Sequence, residues 1–165
     1  MVNLFIPNKL TAAEDVIEVS AKAETDTYNV AVKVEKLSRN ALKVRKPLWA
    51  ESTLVKVNGE TVTPCEADGY YVFSLTEGTV EFVFGAKGYL SKAVDDEKTA
   101  SICWGPYVLT AICDCHEFIE FDVTEESIKE KLVHKGDLEF ELCGHRFMPL
   151  NKVNQEHYHV YIKIK

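Results

Sequence analysis

The sequence predicts an all-β protein built from two small antiparallel β-sandwich or jelly-roll units with one short helix. Three observations carry this prediction. Apolar and polar residues alternate with a period of two, turn residues recur at short intervals, and a single segment has helical spacing. Many short strands separated by regular turns are typical of sandwiches, whereas strands that alternate with helices indicate a parallel sheet.

The alternation is clearest between Tyr28 and Val34. Tyr28, Val30, Val32 and Val34 are apolar, while the residues between them are small or polar. Successive side chains of a strand point to opposite faces, so this pattern predicts a strand with one buried and one solvated face. The same alternation predicts strands at residues 17–23, 80–84, 138–142 and 158–164.

Turn residues separate the predicted strands. Asn58-Gly59 lies between Val57 and Val62 and predicts a two-residue hairpin. A type I′ turn requires positive φ at both central residues, and Asn-Gly accepts that conformation best. Further turn signals stand at Asp26, residues 68–69, 77–78, Gly85, residues 135–137 and 143–144.

Residues 124–133 are the segment predicted to form the helix. Thr124 can cap the first turn, the acidic residues after it favour the positive end of the helix dipole, and Ile128 and Leu132 lie four residues apart. A change of composition around residues 88–99, which contain a polar run, predicts a domain boundary there.

Size and composition limit the classes of partner. The 165 residues suffice for one substantial domain or two small ones. The net charge of -7 argues against nucleic acid, because a nucleic-acid-binding protein needs a cationic face. No apolar stretch approaches the ~18 residues of a membrane span, so no membrane partner is predicted. Five cysteines without framework spacing favour a reducing, cytoplasmic setting.

Four segments carry a resemblance to a known family. They are residues 2–7 (Val-Asn-Leu-Phe-Ile-Pro), 44–49 with 57–59 (Val-Arg-Lys-Pro-Leu-Trp and Val-Asn-Gly), 104–109 (Trp-Gly-Pro-Tyr-Val-Leu), and 148–150 with 156–161 (Met-Pro-Leu and Glu-His-Tyr-His-Val-Tyr). In this order they resemble the C-terminal β-sandwich region of the β-L-arabinofuranosidase family, glycoside hydrolase family 127 and its relatives.

The resemblance implies two sandwiches, one inserted in the other. Residues 1–13 and 93–165 would form the first sandwich, and residues 14–92 the inserted one. The family's catalytic centre is a cysteine nucleophile held with other thiolates and a glutamate around zinc, in an (α/α)6 barrel. Nothing in this chain resembles that barrel, so no catalytic residue is carried over and no cofactor is expected in this chain.

Residues 113–117, Cys-Asp-Cys-His-Glu, hold the most suggestive local chemistry, because thiolates and imidazoles are good zinc ligands. Structural zinc sites, however, usually use Cys-x2-4-Cys pairs, and a second pair at suitable spacing is absent. On a strand, Cys113 and Cys115 share one face and His116 points the opposite way. We interpret Cys113 as a core residue that continues the apolar run 108–112, and we predict no metal site.

Two further sets of polar residues could carry chemistry. His157 and His159 share one face of a strand and could chelate a metal, although we predict that both lie in solvent. Paired carboxylates hydrolyse glycosides. Candidates are Glu117, Glu120, Asp122 and the acidic run 95–97. They lie beside turns in an acidic protein, where such residues serve solubility. We therefore predict no catalytic residue.

Aromatic residues could stack on sugar rings. The candidates are Trp49, Trp104, Tyr70, Tyr71, Tyr89 and Tyr107. Trp49 follows Pro47 at a strand end, and Trp104 precedes Gly105. At such positions a large ring can cover the edge of the hydrophobic core. We predict that both tryptophans pack inside, and that one ring of Tyr70-Tyr71 faces inward and the other outward.

These observations predict a non-catalytic accessory region of a β-L-arabinofuranosidase-like glycoside hydrolase. Its partner would be a catalytic (α/α)6 barrel, in cis or in trans. One alternative is a free-standing carbohydrate-binding module, which needs an exposed aromatic platform. Another is an interaction domain that docks on a separately encoded barrel, which needs a large exposed apolar patch and could self-associate.

Overall fold

The computed structural model describes residues 1–39 and 41–165, and it confirms the all-β prediction. The chain divides into two compact units, Met1–Gly85 (unit 1) and Ala86–Lys165 (unit 2). Among the described residues a single α-helix is present. No helix in that part of the chain combines the length and apolarity that a membrane crossing requires.

Unit 1 contains two antiparallel sheets. Its strands are β1 (Asn8–Ala12), β2 (Asp15–Ala23), β3 (Thr27–Lys36), β4 (Leu42–Arg45), β5 (Ser52–Val57), β6 (Glu60–Val62), β7 (Cys65–Ala67), β8 (Tyr70–Phe73) and β9 (Gly78–Gly85). Six strands pair in the order β1-β2-β3-β9-β5-β6, and three pair in the order β4-β8-β7. The alternation in β2, β3 and β9 therefore marks real strands, as predicted.

The two sheets of unit 1 pack face to face through aromatic rings. Phe82 on β9 lies 5.7 Å from the ring of Tyr71 and 5.8 Å from that of Phe73, both on β8. Phe82 also stacks on Phe84, and both phenylalanines are fully buried. Burial of one such side chain contributes about 1.5–3 kcal/mol, so this cluster is a main source of the stability of unit 1.

The predicted Asn58-Gly59 hairpin is confirmed. Asn58 has φ 51° and Gly59 φ 87°, as a type I′ turn requires, and Val57 pairs with Glu60 across it. The predicted turns at residues 68–69 and 143–144 show the same pair of positive φ values. Local turn chemistry thus sets the register of three hairpins.

Unit 2 is built on one nine-stranded sheet. Its elements are β10 (Gly88–Lys92), β11 (Thr99–Trp104), β12 (Tyr107–Ile112), β13 (Glu120–Phe121), α1 (Ile128–Lys131), β14 (Val133–Gly136), β15 (Glu139–Leu142), β16 (His145–Pro149), a 3-10 helix (Leu150–Lys152), β17 (Tyr158–His159) and β18 (Ile162–Ile164). Seven strands follow the order β13-β18-β11-β12-β16-β15-β14, while β10 pairs with β11 and β17 with β12. The β13–β18 pair is parallel.

The core of unit 2 is also aromatic. Trp104 on β11 lies 5.5 Å from Phe140 on β15, and Phe121 on β13 lies 5.9 Å from Phe147 on β16. Ile128, from the short helix, is completely buried. The helix therefore contributes one core side chain in addition to connecting two strands.

The helix is shorter than predicted. It covers four residues, and residues 133–136 instead form β14, which pairs with β15. Thr124 does act at its start, because the Ser127 backbone N–H donates to Thr124 Oγ1 at 3.2 Å. Helical spacing extends across Leu132, but strand pairing with β15 takes the residues that follow, and a four-residue helix has little intrinsic stability to oppose it.

The predicted strand at residues 158–164 is divided in two. Strand β17 pairs with β12, whereas β18 pairs with β11 and with β13. Residues 160–161 form the break between the two strands. Periodicity cannot reveal such a break, because it depends on which neighbouring strand each half meets.

The boundaries of the two units in the structure differ from those of the predicted domains. The sequence prediction assigns residues 1–13 to the C-terminal sandwich and residues 14–92 to an insert. In the structure β1 pairs with β2 within unit 1, and β10 pairs with β11 within unit 2. The insertion of one sandwich into the other stays a prediction.

Candidate functional site

A wide apolar groove lies on unit 2. Its volume is about 690 Å³, and its apolar lining includes Val94, Val108, Phe118, Leu150 and Tyr161. All five side chains are exposed, with Phe118 at 60% and Tyr161 at 51%. Exposed apolar residues are ordinary when scattered, but a group gathered around one concavity indicates a binding surface. We call this surface the apolar groove.

Strand alternation builds one wall of the apolar groove. On β11, Ile102 and Trp104 turn into the core, so Ser101 and Cys103 face the groove. Val108 of β12 lies opposite Cys103 in the sheet register and extends the same wall. The hairpin of β11 and β12 thus has one face in the core and the other on the groove.

Cys103 is a poor nucleophile in this position. Burial raises the pKa of its thiol, an effect that the neighbouring Tyr89 hydroxyl partly opposes. A raised pKa keeps the thiol protonated at neutral pH, and the thiolate is the reactive form. Burial likewise raises the pKa of Tyr89, whose hydroxyl donates to the carbonyl oxygen of Gly105 at 3.2 Å.

A polar cluster occupies the edge of the groove near Asp96. Lys163 Nζ lies 2.6 Å from Asp96 Oδ2, and the Thr99 hydroxyl donates to the same oxygen at 2.7 Å. The bond from Lys163, reinforced by Thr99, lowers the pKa of Asp96 to about 2. Asp96 is therefore a permanently ionised, paired carboxylate, the opposite of the protonated acid that glycoside hydrolysis requires.

The other candidate carboxylates are dispersed. Glu117, Glu120 and Asp122 are exposed, as are Asp95 and Glu97. Glu120 lies 4.0 Å from Lys165, a long surface contact. General acid catalysis depends on a desolvated carboxyl group, and an exposed side chain does not provide one. The prediction that none of these residues is catalytic remains a prediction.

Both tryptophans pack against neighbouring rings. Trp104 is 3% exposed and contacts the rings of Tyr107, His134 and Phe140. Trp49 is half-buried, and its ring meets those of Tyr28 and Phe84 edge-on. The interpretation of both tryptophans as core plugs is consistent with these contacts.

The candidate tyrosines also have internal contacts. Tyr71 is buried and donates to Thr53 Oγ1 at 3.1 Å, while the half-buried Tyr70 donates to Asn3 Oδ1 at 2.8 Å. The six aromatic residues proposed from the sequence therefore do not form one exposed platform. The exposed rings that do share a surface, Phe118 and Tyr161, stand outside the predicted set. Phe118 lies in a segment without alternation, so periodicity has no signal for it.

A second cluster, formed by Cys113, Cys115 and His159, lies at the end of β12. The two cysteines form a disulfide, and Cys115 Sγ lies 3.6 Å from His159 Nε2. Cys113 is half-buried and disulfide-bonded, so the prediction that it is a core residue is wrong, although its backbone extends the pairing of β12 by one hydrogen bond. The prediction of solvated histidines is correct for the exposed His157 and wrong for the half-buried His159.

Comparison with known proteins finds a family match for residues 1–78. Residues 1–78 match the middle domain of GH127 β-L-arabinofuranosidases. The resemblance predicted from the sequence is thereby confirmed. No curated protein matches the chain.

Three solved structures share the fold over nearly the whole chain. A GH127 β-L-arabinofuranosidase from Geobacillus stearothermophilus T6 has 15% identity and a TM-score of 0.56, over 98% of this chain and 33% of that chain. A GH127 β-arabinofuranosidase has 16% identity and a TM-score of 0.58, over 96% and 33%. A glycoside hydrolase has 17% identity and a TM-score of 0.57, over 98% and 35%. The chain thus spans about a third of the length of the solved structures that it matches.

Proposed function

We propose that this chain is the non-catalytic accessory β-sandwich region of a GH127-type glycoside hydrolase, and that it supports a catalytic (α/α)6 barrel in cis or in trans. One observation carries the proposal: the chain aligns over 98% of its own length with only 33% of a GH127 β-L-arabinofuranosidase. The match of residues 1–78 to the GH127 middle domain supports the same assignment.

The apolar groove is the proposed contact surface for the barrel. Its five exposed apolar side chains line one concavity instead of being scattered over the surface. A concave apolar patch of this kind is typical of protein interfaces. The barrel is the proposed occupant because this chain corresponds to about a third of the enzymes that it matches.

A cytoplasmic setting is part of this proposal. Cys65, Cys103 and Cys143 are free thiols, and two of them are exposed. Exposed free thiols persist where the compartment is reducing. The disulfide between Cys113 and Cys115 closes a loop of very few residues and so adds little stability. It is therefore unlike the stabilising disulfides of proteins from oxidising compartments.

The first test is formation of a complex with the barrel. The DNA upstream of the Met1 codon is searched for a frame that encodes a barrel, and the barrel found and this chain are then expressed separately and mixed. We expect a complex by size-exclusion chromatography, lost in Phe118→Asp and retained in the matched control Tyr158→Asp, whose exposed ring lies outside the groove. The chain alone should hydrolyse no aryl β-L-arabinofuranoside.

Three results would contradict the proposal. One is turnover by the chain alone that a single carboxylate substitution abolishes. Another is failure of the chain and the barrel to associate. The third is a dimer of the chain alone that Phe118→Asp dissolves, which would assign the groove to a second copy.

Carbohydrate binding is the second candidate function, favoured by the exposed rings of Phe118 and Tyr161 in one groove. Aromatic faces pack well on the apolar faces of sugars. Arabinose-containing oligosaccharides, titrated while the aromatic resonances are followed by NMR, distinguish the two functions. Shifts at Phe118 and Tyr161 that saturate would support a carbohydrate-binding module, whereas an unchanged spectrum would leave docking as the better assignment.

A further inference from the structure

Strand pairing brings two cysteines and a histidine together at the end of β12. Ala111 pairs with His159 and Ile112 with Tyr158. The Cys113 backbone N–H then donates to the carbonyl oxygen of His157 at 3.1 Å, which continues the register one residue beyond the strand. Residues directly opposite in a sheet share a face, so Ala111, Cys113 and His159 all lie on one side.

The three side chains are close enough to share one ion. The two sulfur atoms and a ring nitrogen of His159 all lie within 4.8 Å of one another. Cys113 is half-buried and Cys115 is exposed, so the cluster is anchored by the sheet on one side and open to solvent on the other. The exposed side gives a cation an entry path from solvent.

We propose that Cys113, Cys115 and His159, in the dithiol state, bind a borderline-soft divalent cation such as zinc, and that the disulfide is the state without metal. Two thiolates and one imidazole are a ligand set that zinc prefers over carboxylate or carbonyl oxygen. Three protein ligands and one water complete the tetrahedral coordination that zinc adopts. The site is independent of the proposed docking function.

The exchange between the two states balances. Two molecules of a low-molecular-weight thiol reduce the bond: the S–S bond breaks, the cysteines gain two electrons and two protons, and the thiols leave as a disulfide. Zinc then displaces one proton from each cysteine and forms two S–Zn bonds. With Zn–S near 2.3 Å, tetrahedral geometry separates the sulfurs to roughly 3.8 Å, which the exposed loop at Cys115 permits.

His159 must change its partner when the cation binds. Its Nε2 lies 2.8 Å from the carbonyl oxygen of Cys115, a contact that requires a proton on Nε2. The neutral tautomer with the proton on Nδ1 gives up that contact and offers the Nε2 lone pair instead. Movement of Cys115 away from Cys113 moves its carbonyl as well, so both changes belong to one local rearrangement.

The disulfide itself stabilises the fold little. The two cysteines are two positions apart, and the stabilisation from loop closure falls as the loop shortens. Register at this end of the sheet comes instead from the pairing of β12 with β17 and the bond from Cys113 to His157. Opening the disulfide therefore leaves the sheet intact.

The test measures zinc binding by the whole chain in both states. The chain is reduced with a phosphine, which is then removed, and bound zinc is determined by competition with a chromogenic chelator. We expect one zinc per reduced chain and none for the same chain after reoxidation. Cobalt in place of zinc should give sulfur-to-cobalt charge-transfer absorption, which reports thiolate ligands directly.

Variants assign the ligands. Cys113→Ser, Cys115→Ser and His159→Gln should each lose stoichiometric binding and the charge-transfer band. Cys65→Ser and Cys143→Ser, at exposed free cysteines elsewhere, and His116→Gln, at the exposed histidine beside Cys115, are the matched controls and should bind as the wild type does. Absence of zinc from the reduced wild type, equal binding after reoxidation, or equal loss in the control variants would each overturn the proposal.

Discussion

At the scale of single residues, Asn58 shows how local chemistry and tertiary contact act together. Its positive φ fits the turn, and its side chain also reaches a neighbouring strand: Asn58 Oδ1 accepts from the Thr79 backbone N–H at 2.8 Å. The Asn58 N–H in turn donates to the Thr79 carbonyl at 2.9 Å. The sequence predicts the turn, but not the second role, because Thr79 lies 21 positions away in the sequence.

Substitution of Asn58 separates these two roles. Asn58→Ala loses both the favourable positive φ and the bond to Thr79, and we expect the free energy of unfolding to fall by about 1–3 kcal/mol. Asn58→Gly keeps the turn conformation and loses only the side-chain bond, so its loss should be smaller. Urea unfolding at equilibrium measures both. Equal midpoints for wild type and Asn58→Ala would contradict this account.

Asp96 gives stability a defined dependence on pH. Its pKa is lowered to about 2, chiefly by the bond from Lys163. A carboxyl group whose pKa is lowered by folding adds stability that is present above its unfolded value of about 3.9 and is lost as the pH falls toward the folded value. Asp96→Asn should therefore flatten the fall of unfolding free energy between about pH 4 and pH 2.

The neighbouring Asp95 supplies the matched control for this pH prediction. It is exposed and lies one position away, so Asp95→Asn should leave the pH profile of unfolding as in the wild type. Urea unfolding repeated at several pH values measures all three proteins. If Asp96→Asn and the wild type had the same pH profile, the ion pair between Asp96 and Lys163 would not be the cause of the pH dependence.

At the scale of elements, alternation identified several strands in which one face is buried and the other more exposed. Strands β2, β3 and β9 follow this pattern along most of their length. Strand β14 has no buried residue and exists through its pairing with β15, so the pattern has no means of marking it. The short helix and the divided strand at β17 and β18 have the same cause, since strand pairing decides where each ends.

Strand β4 offers a sharp test of a buried face. Leu42 on β4 is 0% exposed, and Leu48, six positions later, is 97% exposed. Leu42→Ala leaves a cavity in the core of unit 1 and should lower the free energy of unfolding by roughly 2–5 kcal/mol. Leu48→Ala, the same chemical change in solvent, should stay within about 0.5 kcal/mol of the wild type. Comparable losses in the two variants would show that the core assignment of β4 is wrong.

At the scale of the whole molecule, the sequence alone determined the all-β class, the hairpins at Asn-Gly and similar turns, the buried position of Trp104 and the resemblance to the GH127 region. Each of these depends on short segments of the chain, taken singly or in their order along it. The tertiary structure alone decided the apolar groove, in which Phe118 and Tyr161 share one surface, and the cluster that joins His159 to Cys113 and Cys115. Both bring together residues more than forty positions apart in the chain, such as Cys115 and His159, which are separated by 44. Periodicity describes which way a side chain points from its own strand, whereas a site depends on which strand lies beside it.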